Sequence, residues 1–126
     1  MSNLNIRTYR CGSSRESGEG LRLGVVRYLP RGIQKEDYAK QDFFDIWLPI
    51  LAPSQELLRW FTNRQGDPVK LFEQFRLRYE KEMKQTDARQ VIKLIAELSK
   101  NQPISIGCYC EDENLCHRSI LCRLIE

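Results

Sequence analysis

Residues 104–126, ISIGCYCEDENLCHRSILCRLIE, decide the fold. ISIGCYC (104–110) reads as a buried strand and CHRSILCRLIE (116–126) as a helix, with only five residues, EDENL, between them. A strand feeding a helix through so short a link is the half-unit of an α/β sheet. Ligands of such sheets sit beyond the carboxyl ends of the strands. This stretch places three of the five cysteines and the one histidine there.

Earlier segments supply the rest of such a sheet. NLNIRTYRC reads as a first strand, and LRLGVVRYL (21–29) carries apolar residues on both faces, as an internal strand does. Between them GSSRESGEG (12–20) reads as a mobile surface loop. Pro30 and Gly32 break the second strand. From Gln34 to Ala52 no period emerges, and Pro49 and Pro53 argue against one long helix, so short helix or irregular cover is expected. Ser54 is a predicted N-cap for a helix of about two turns, and Asp67 with Pro68 repeats the signal at N-cap and N1. The helix they open has Phe72, Phe75, Tyr79 and Met83 at helical spacing. A third, after Thr86 and Asp87, has Val91, Ile92, Ile95 and Leu98 likewise. Both stripes are what a packed helix needs. The chain 1–126 is thus predicted to be a single α/β domain. A short, mostly parallel sheet of three or more strands would be covered by about four to five helices.

Length and composition agree with that reading. The 126 residues suffice for one core, and 41% hydrophobic with 29% charged residues is the balance of a globular chain. No run approaches the roughly 18 apolar residues of a membrane span. MSNLNIRTYR lacks an apolar stretch behind a basic start, so a cytoplasmic chain with its cysteines as thiols is expected. Net charge is +3, with residues 1–40 holding eight Lys or Arg against four acids and residues 41–126 twelve against thirteen. A basic N-terminal third suits a small anionic ligand; no aromatic platform or reader motif accompanies it, which disfavours nucleic acid. No cofactor is predicted, and oligomeric state is not legible.

Facing the residues divides the terminal motif. On an extended strand Ile104, Ile106, Cys108 and Cys110 share one face, so both cysteines would continue an apolar row. On the helix, at about 100° per residue, His117 falls inside an arc of Ile120, Leu121, Leu124 and Ile125, with Cys116 at its edge and Arg118 on its flank. Such a histidine is often only a core residue, but this one is in the first turn, at the mouth. A thiol at a helix N-terminus meets unpaired N–H groups and the positive end of the dipole, which favour the thiolate, and a nearby imidazole or guanidinium adds to this. Cys116 fits that description best, as nucleophile or redox thiol, with His117 as base or hydrogen-bond donor. The same N–H groups, with Arg118, would hold a phosphate or carboxylate.

Known cysteine loops do not fit. No residue five or six positions after any cysteine is arginine, which argues against rhodanese-like and cysteine-phosphatase cradles. Cys108, Cys110, Cys116 and His117 are numerous enough for zinc. An extended C-x-C, however, sets its sulfurs about 7 Å apart, unlike the tight C-x2-C turn of structural zinc. No metal is therefore predicted unless the strand ends before Cys110. The alternative class is a thiol- or metal-based sensor without turnover.

Several blocks resemble a known family. VVRYLPRG (25–32) is similar to V-D-R-x-W-P-R-G, matching at Arg27, Pro30, Arg31 and Gly32 and departing at Val26 and Leu29. Lys35 matches a lysine that follows. WLPILAPSQELLRWF (47–61) resembles W-L-x-x-L-A-P-S-x-E-L-x-x-W-F, and FEQFRLRYEKEM the helix after it. The end is similar to L-C-x-E-x5-C-H-R, carried onto Cys108, Cys116, His117 and Arg118, with Cys110 where glutamate is usual. These are blocks of the YeaO-like proteins, grouped as domain of unknown function 488. The resemblance implies an α/β fold in which Arg27 and Arg31, ending one strand, belong with the Cys116-His117-Arg118 turn beyond another. The expected site is an anion pocket of Arg27, Arg31, Arg118 and Cys108 around Cys116 and His117.

Overall fold

A computed structural model describes residues 4–110 and 116–126; the predicted link EDENL (111–115) lies outside the described residues. Four strands form one sheet: β1 (Ile6–Arg10), β2 (Leu21–Gly24), β3 (Ile46–Trp47) and β4 (Ile104–Cys108). Their order is β1-β4-β2-β3, every pair is parallel, and Ile104 stands opposite both Ile6 and Leu21. The last strand in sequence is therefore flanked on both sides, and all five of its residues are buried. Its β-branched Ile104 and Ile106 each contribute roughly 1.5–3 kcal/mol by leaving water. The α/β expectation holds, with the sheet wholly parallel.

Among the described residues there are four helices, α1 (Gln55–Thr62), α2 (Pro68–Met83), α3 (Thr86–Ser99) and α4 (His117–Ile125). Their apolar residues join Leu23, Ile104 and Ile106 in the main core. Two helix starts follow the local chemistry expected of them. Ser54 accepts from the Leu57 N–H at 3.1 Å, and Asp67 from the Val69 N–H at 3.1 Å with Pro68 at N1. Phe75, Tyr79 and Met83 are buried as the spacing predicts. On α3, Leu98 is exposed and Ser99 takes the inward place, its hydroxyl donating to the Ala96 carbonyl at 2.9 Å.

Three expectations change. β2 ends at Gly24, so 25–29 is not strand. The aperiodic segment 34–52 contains two short 3-10 turns and the edge strand β3. β4 ends at Cys108, two residues early, and Cys110 is exposed and does not continue the buried row.

The sheet face away from the helices is covered by loops. Ser105 Oγ donates to the Glu19 carbonyl at 2.8 Å, the Phe44 ring fills the space beside Gly24, and the Tyr9 ring lies where a Cβ on Gly107 would stand. Beneath them the fully buried Arg22 pairs with Glu19 at 2.9 Å and stacks 4.1 Å from the Tyr9 ring centre. Segment 12–20 carries both this pair's Glu19 and Arg15, which bonds Asp45 at 3.0 Å.

Candidate functional site

The ends of β2 and β4 and the start of α4 meet at one edge. Beyond Cys108 the chain turns, and the sulfurs of Cys108, Cys110 and Cys116 lie within 4.8 Å of one another. Cys108 and Cys116 are joined as a disulfide, their Cα atoms 7.9 Å apart, so the expectation that the cysteines are thiols does not hold for this pair, while Cys110 is free. The wide C-x-C separation expected of an extended strand is absent because the strand stops before Cys110.

Cys116 is the N-cap of α4, buried to 2%, and its side chain caps nothing. Its sulfur lies 3.7 Å from His117 Nδ1, while Nε2 sits 2.6 Å from the Val25 carbonyl. A carbonyl only accepts, so Nε2 carries the proton and Nδ1 is the free acceptor facing Cys116. Burial pushes the His117 imidazole down to about 4; the bond to Val25 opposes this, and Arg118 and Arg27 reinforce it. His117 is thus a neutral acceptor, packed edge-on against Tyr79 at 5.5 Å, and its one donor is spent on Val25.

Arg118 is buried to 4% and turns towards the sulfurs. Its Nη1 is 3.2 Å from Cys108 Sγ, 3.9 Å from Cys116 Sγ and 2.7 Å from the Cys110 carbonyl. Its Nε has no partner, and among the described residues no carboxylate pairs with it. Desolvation around the Cys110 sulfur raises that thiol above its ordinary value, with Arg118 pulling the other way. Cys11, buried beside the Tyr9 hydroxyl, is pushed up to about 11 by burial and is an inert thiol by comparison.

Beside Cys108 and Cys110 lies a cavity of about 280 Å³, lined also by Val26, Arg27, Pro53, Leu58, Tyr109 and His117, with Cys116 and Arg118 buried behind this lining. Arg27 is half-buried and donates to the carbonyls of Pro53 and Ala52, at 3.0 and 3.1 Å, which fixes the entry to α1. Arg31 is exposed on the turn beyond it. The predicted set is therefore brought together at Cys108, Cys116, His117 and Arg118, with Arg27 on the cavity wall and Arg31 apart. Cys110, expected in the buried row and weighed from sequence only as a metal or sensor thiol, is a member of the cluster. Tyr109, whose hydroxyl donates to the Tyr28 carbonyl at 2.9 Å, closes one wall. A larger cavity of about 580 Å³ between α1 and α2, beside Arg59, Trp60 and Arg64, contains none of these groups.

A parallel sheet with sulfur, imidazole and guanidinium groups gathered at the carboxyl ends of its strands defines a small α/β protein with a cysteine cluster at the sheet mouth. The family model described as the active DUF488-N3 subclade matches residues 6–126, and the chain belongs to that family. It is 33% identical to the uncharacterized protein YeaO of Escherichia coli K12 over 103 residues, 82% of this chain and 81% of that protein. It is also 27% identical over 100 residues to the uncharacterized protein Rv3073c of Mycobacterium tuberculosis H37Rv, 79% of this chain and 78% of that protein. No solved structure matches. Among the described residues no helix is long and apolar enough to cross a membrane.

Proposed function

We propose that the chain works through thiolate chemistry at the mouth of its sheet, with Cys116 as the reactive sulfur and a small anionic molecule in the adjoining cavity as its ligand. The observation that carries this reading is the buried Arg118 guanidinium, directed at Cys108 and Cys116 without a carboxylate among the described residues. A guanidinium stays charged, and a buried charge needs a counter-charge; once the Cys108–Cys116 disulfide is reduced, a thiolate on either cysteine supplies one. The α4 N-terminus adds to the same field at Cys116. His117 Nδ1 accepts from the Cys116 S–H and orients it, and Arg27 gives the cavity its positive wall. Arg31 acts only as an outer charge that steers an anion inwards. A cavity of about 280 Å³ admits a small phosphate- or carboxylate-bearing molecule.

The test is the ultraviolet thiolate absorbance of the reduced, metal-free protein against pH, with Cys116→Ala to assign it, alongside thermal shift with phosphate, sugar phosphates and nucleotides. A Cys116 transition well below the ordinary thiol value of about 8.5, with stabilisation by one anion class, is expected. An ordinary transition with no stabilisation by any anion would defeat the reading.

A further inference from the structure

We infer that Cys108, Cys110 and Cys116 form a site for one thiophilic divalent ion of the zinc class, with its remaining coordination position open to the mouth cavity. The inference rests on the thiolate reading above, because metal ligation takes the sulfur as thiolate.

Geometry carries it first. Tetrahedral zinc with Zn–S of about 2.3 Å holds its sulfurs about 3.8 Å apart, and once the Cys108–Cys116 bond is reduced, three sulfurs gathered within 4.8 Å are close to that spacing. Their backbones arrive from different directions: Cys108 from the end of β4, Cys110 from the turn after it, Cys116 from the start of α4. Cys108 and Cys116 are disulfide-bonded across a Cα separation of 7.9 Å, so the ion takes this pair only in its reduced form, as two thiolates.

Charge carries it second and independently. A divalent ion with three thiolates has a net charge of −1, and the buried Arg118 brings the cluster to neutrality while donating to the Cys108 sulfur at 3.2 Å. N–H donors to ligating sulfurs are the usual outer support of a metal–thiolate centre. Three soft ligands select zinc, cadmium or cobalt as probe ions over magnesium or calcium. Among the described residues no fourth cysteine, histidine or carboxylate joins the group, and Cys108 and Cys110 both line the cavity. That leaves a position for water or the anionic ligand, the arrangement of a reactive rather than a purely structural site. A dithiol reductant first transfers two electrons and two protons to the Cys108–Cys116 bond and is itself oxidised to its disulfide; binding then converts each S–H to S⁻ and releases its proton to solvent with no further electron transfer.

The full chain, reduced and stripped with chelator, would be titrated with Co²⁺ and then with Zn²⁺ against a chromophoric competitor. One Co²⁺ per chain is expected, with tetrahedral d–d bands and sulfur-to-cobalt charge transfer of three-thiolate intensity, displaced by Zn²⁺. Cys110→Ser, at an exposed position, keeps the fold by circular dichroism, lowers the charge-transfer intensity by about a third and weakens zinc by more than about tenfold, the smallest loss an outer-shell change usually brings. Arg118→Gln keeps all three sulfurs and weakens zinc about 10- to 100-fold. No stoichiometric ion, an octahedral oxygen-type spectrum, or affinity unchanged in Cys110→Ser overturns the site. If ion binding is absent while the metal-free protein still shows its low thiolate transition, the metal site falls and the thiolate reading stands. If that transition is absent too, both fall.

Discussion

The guanidinium of Arg118 reaches the sulfur of Cys108 at 3.2 Å from a helix that begins only after the cysteine of its own N-cap. One side chain thus ties the end of β4 to the start of α4, with its Nη1 donating to sulfur and to the Cys110 carbonyl. Replacing it with methionine preserves much of the volume and removes the charge. Arg118→Met is expected to move the thiolate transition up towards about 8.5 while the protein stays folded, since uncharged thiols tolerate an apolar neighbour. Thiolate absorbance against pH, paired with urea denaturation, reads both effects.

Glu19 and Arg22 form a buried pair under the loop face of the sheet. Removing one partner strands the other's charge, so Glu19→Gln is expected to cost about 3–5 kcal/mol, measured by urea unfolding. Burial alone would raise the Glu19 carboxyl, but the hydrogen bonds and charge of Arg22 hold it below its usual value of 4.5. Its contribution is therefore complete above the unfolded value and is lost as pH falls through the lower folded one. Wild-type stability should drop below about pH 4.5, and Glu19→Gln should flatten that part of the profile.

Gly107 has no room for a side chain because the Tyr9 ring occupies it. Gly107→Ala is expected to lose about 1–3 kcal/mol through overpacking. Tyr9 also donates to the Phe43 carbonyl at 2.6 Å, so Tyr9→Leu has its own cost. In that background the alanine should cost markedly less, and a double-mutant cycle with coupling below about 0.5 kcal/mol would disprove the contact as its cause.

Ser54 caps α1 and also bonds Glu82 of α2 through its own N–H at 2.8 Å. Ser54→Ala is expected to lower stability by about 1 kcal/mol, while Ser54→Asp, a good cap facing a carboxylate, should recover little of it. Thermal unfolding of the two variants checks the difference.

The elements whose signals are local were legible in the sequence. Ser54 and Asp67 announce helix starts because capping is chemistry within three residues, and the Phe75, Tyr79, Met83 stripe follows from helical pitch alone. β3 was not legible: Ile46 and Trp47 are both exposed, and only backbone pairing to Leu23 and Gly24 makes them a strand. Nor was the early end of β4, since no glycine or proline marks Tyr109, and that ending is what folds Cys110 back onto the other sulfurs. Cys116, His117 and Arg118 could be picked out by spacing. What Arg118 faces depended on how the chain turns after Cys108, the partner of His117 is Val25, 92 residues away, and Arg27 is held by the carbonyls of Ala52 and Pro53.

The strand order β1-β4-β2-β3 has a consequence for how the protein is made. The two strands nearest the start of the chain are not neighbours; each pairs with a strand that is synthesised after three helices. A nascent chain halted before Ile104 has β1 and β2 with nothing between them, so the sheet closes only when the final segment inserts. That same segment brings Cys108, Cys110 and Cys116, and the thiols reach their partners in the step that completes the fold.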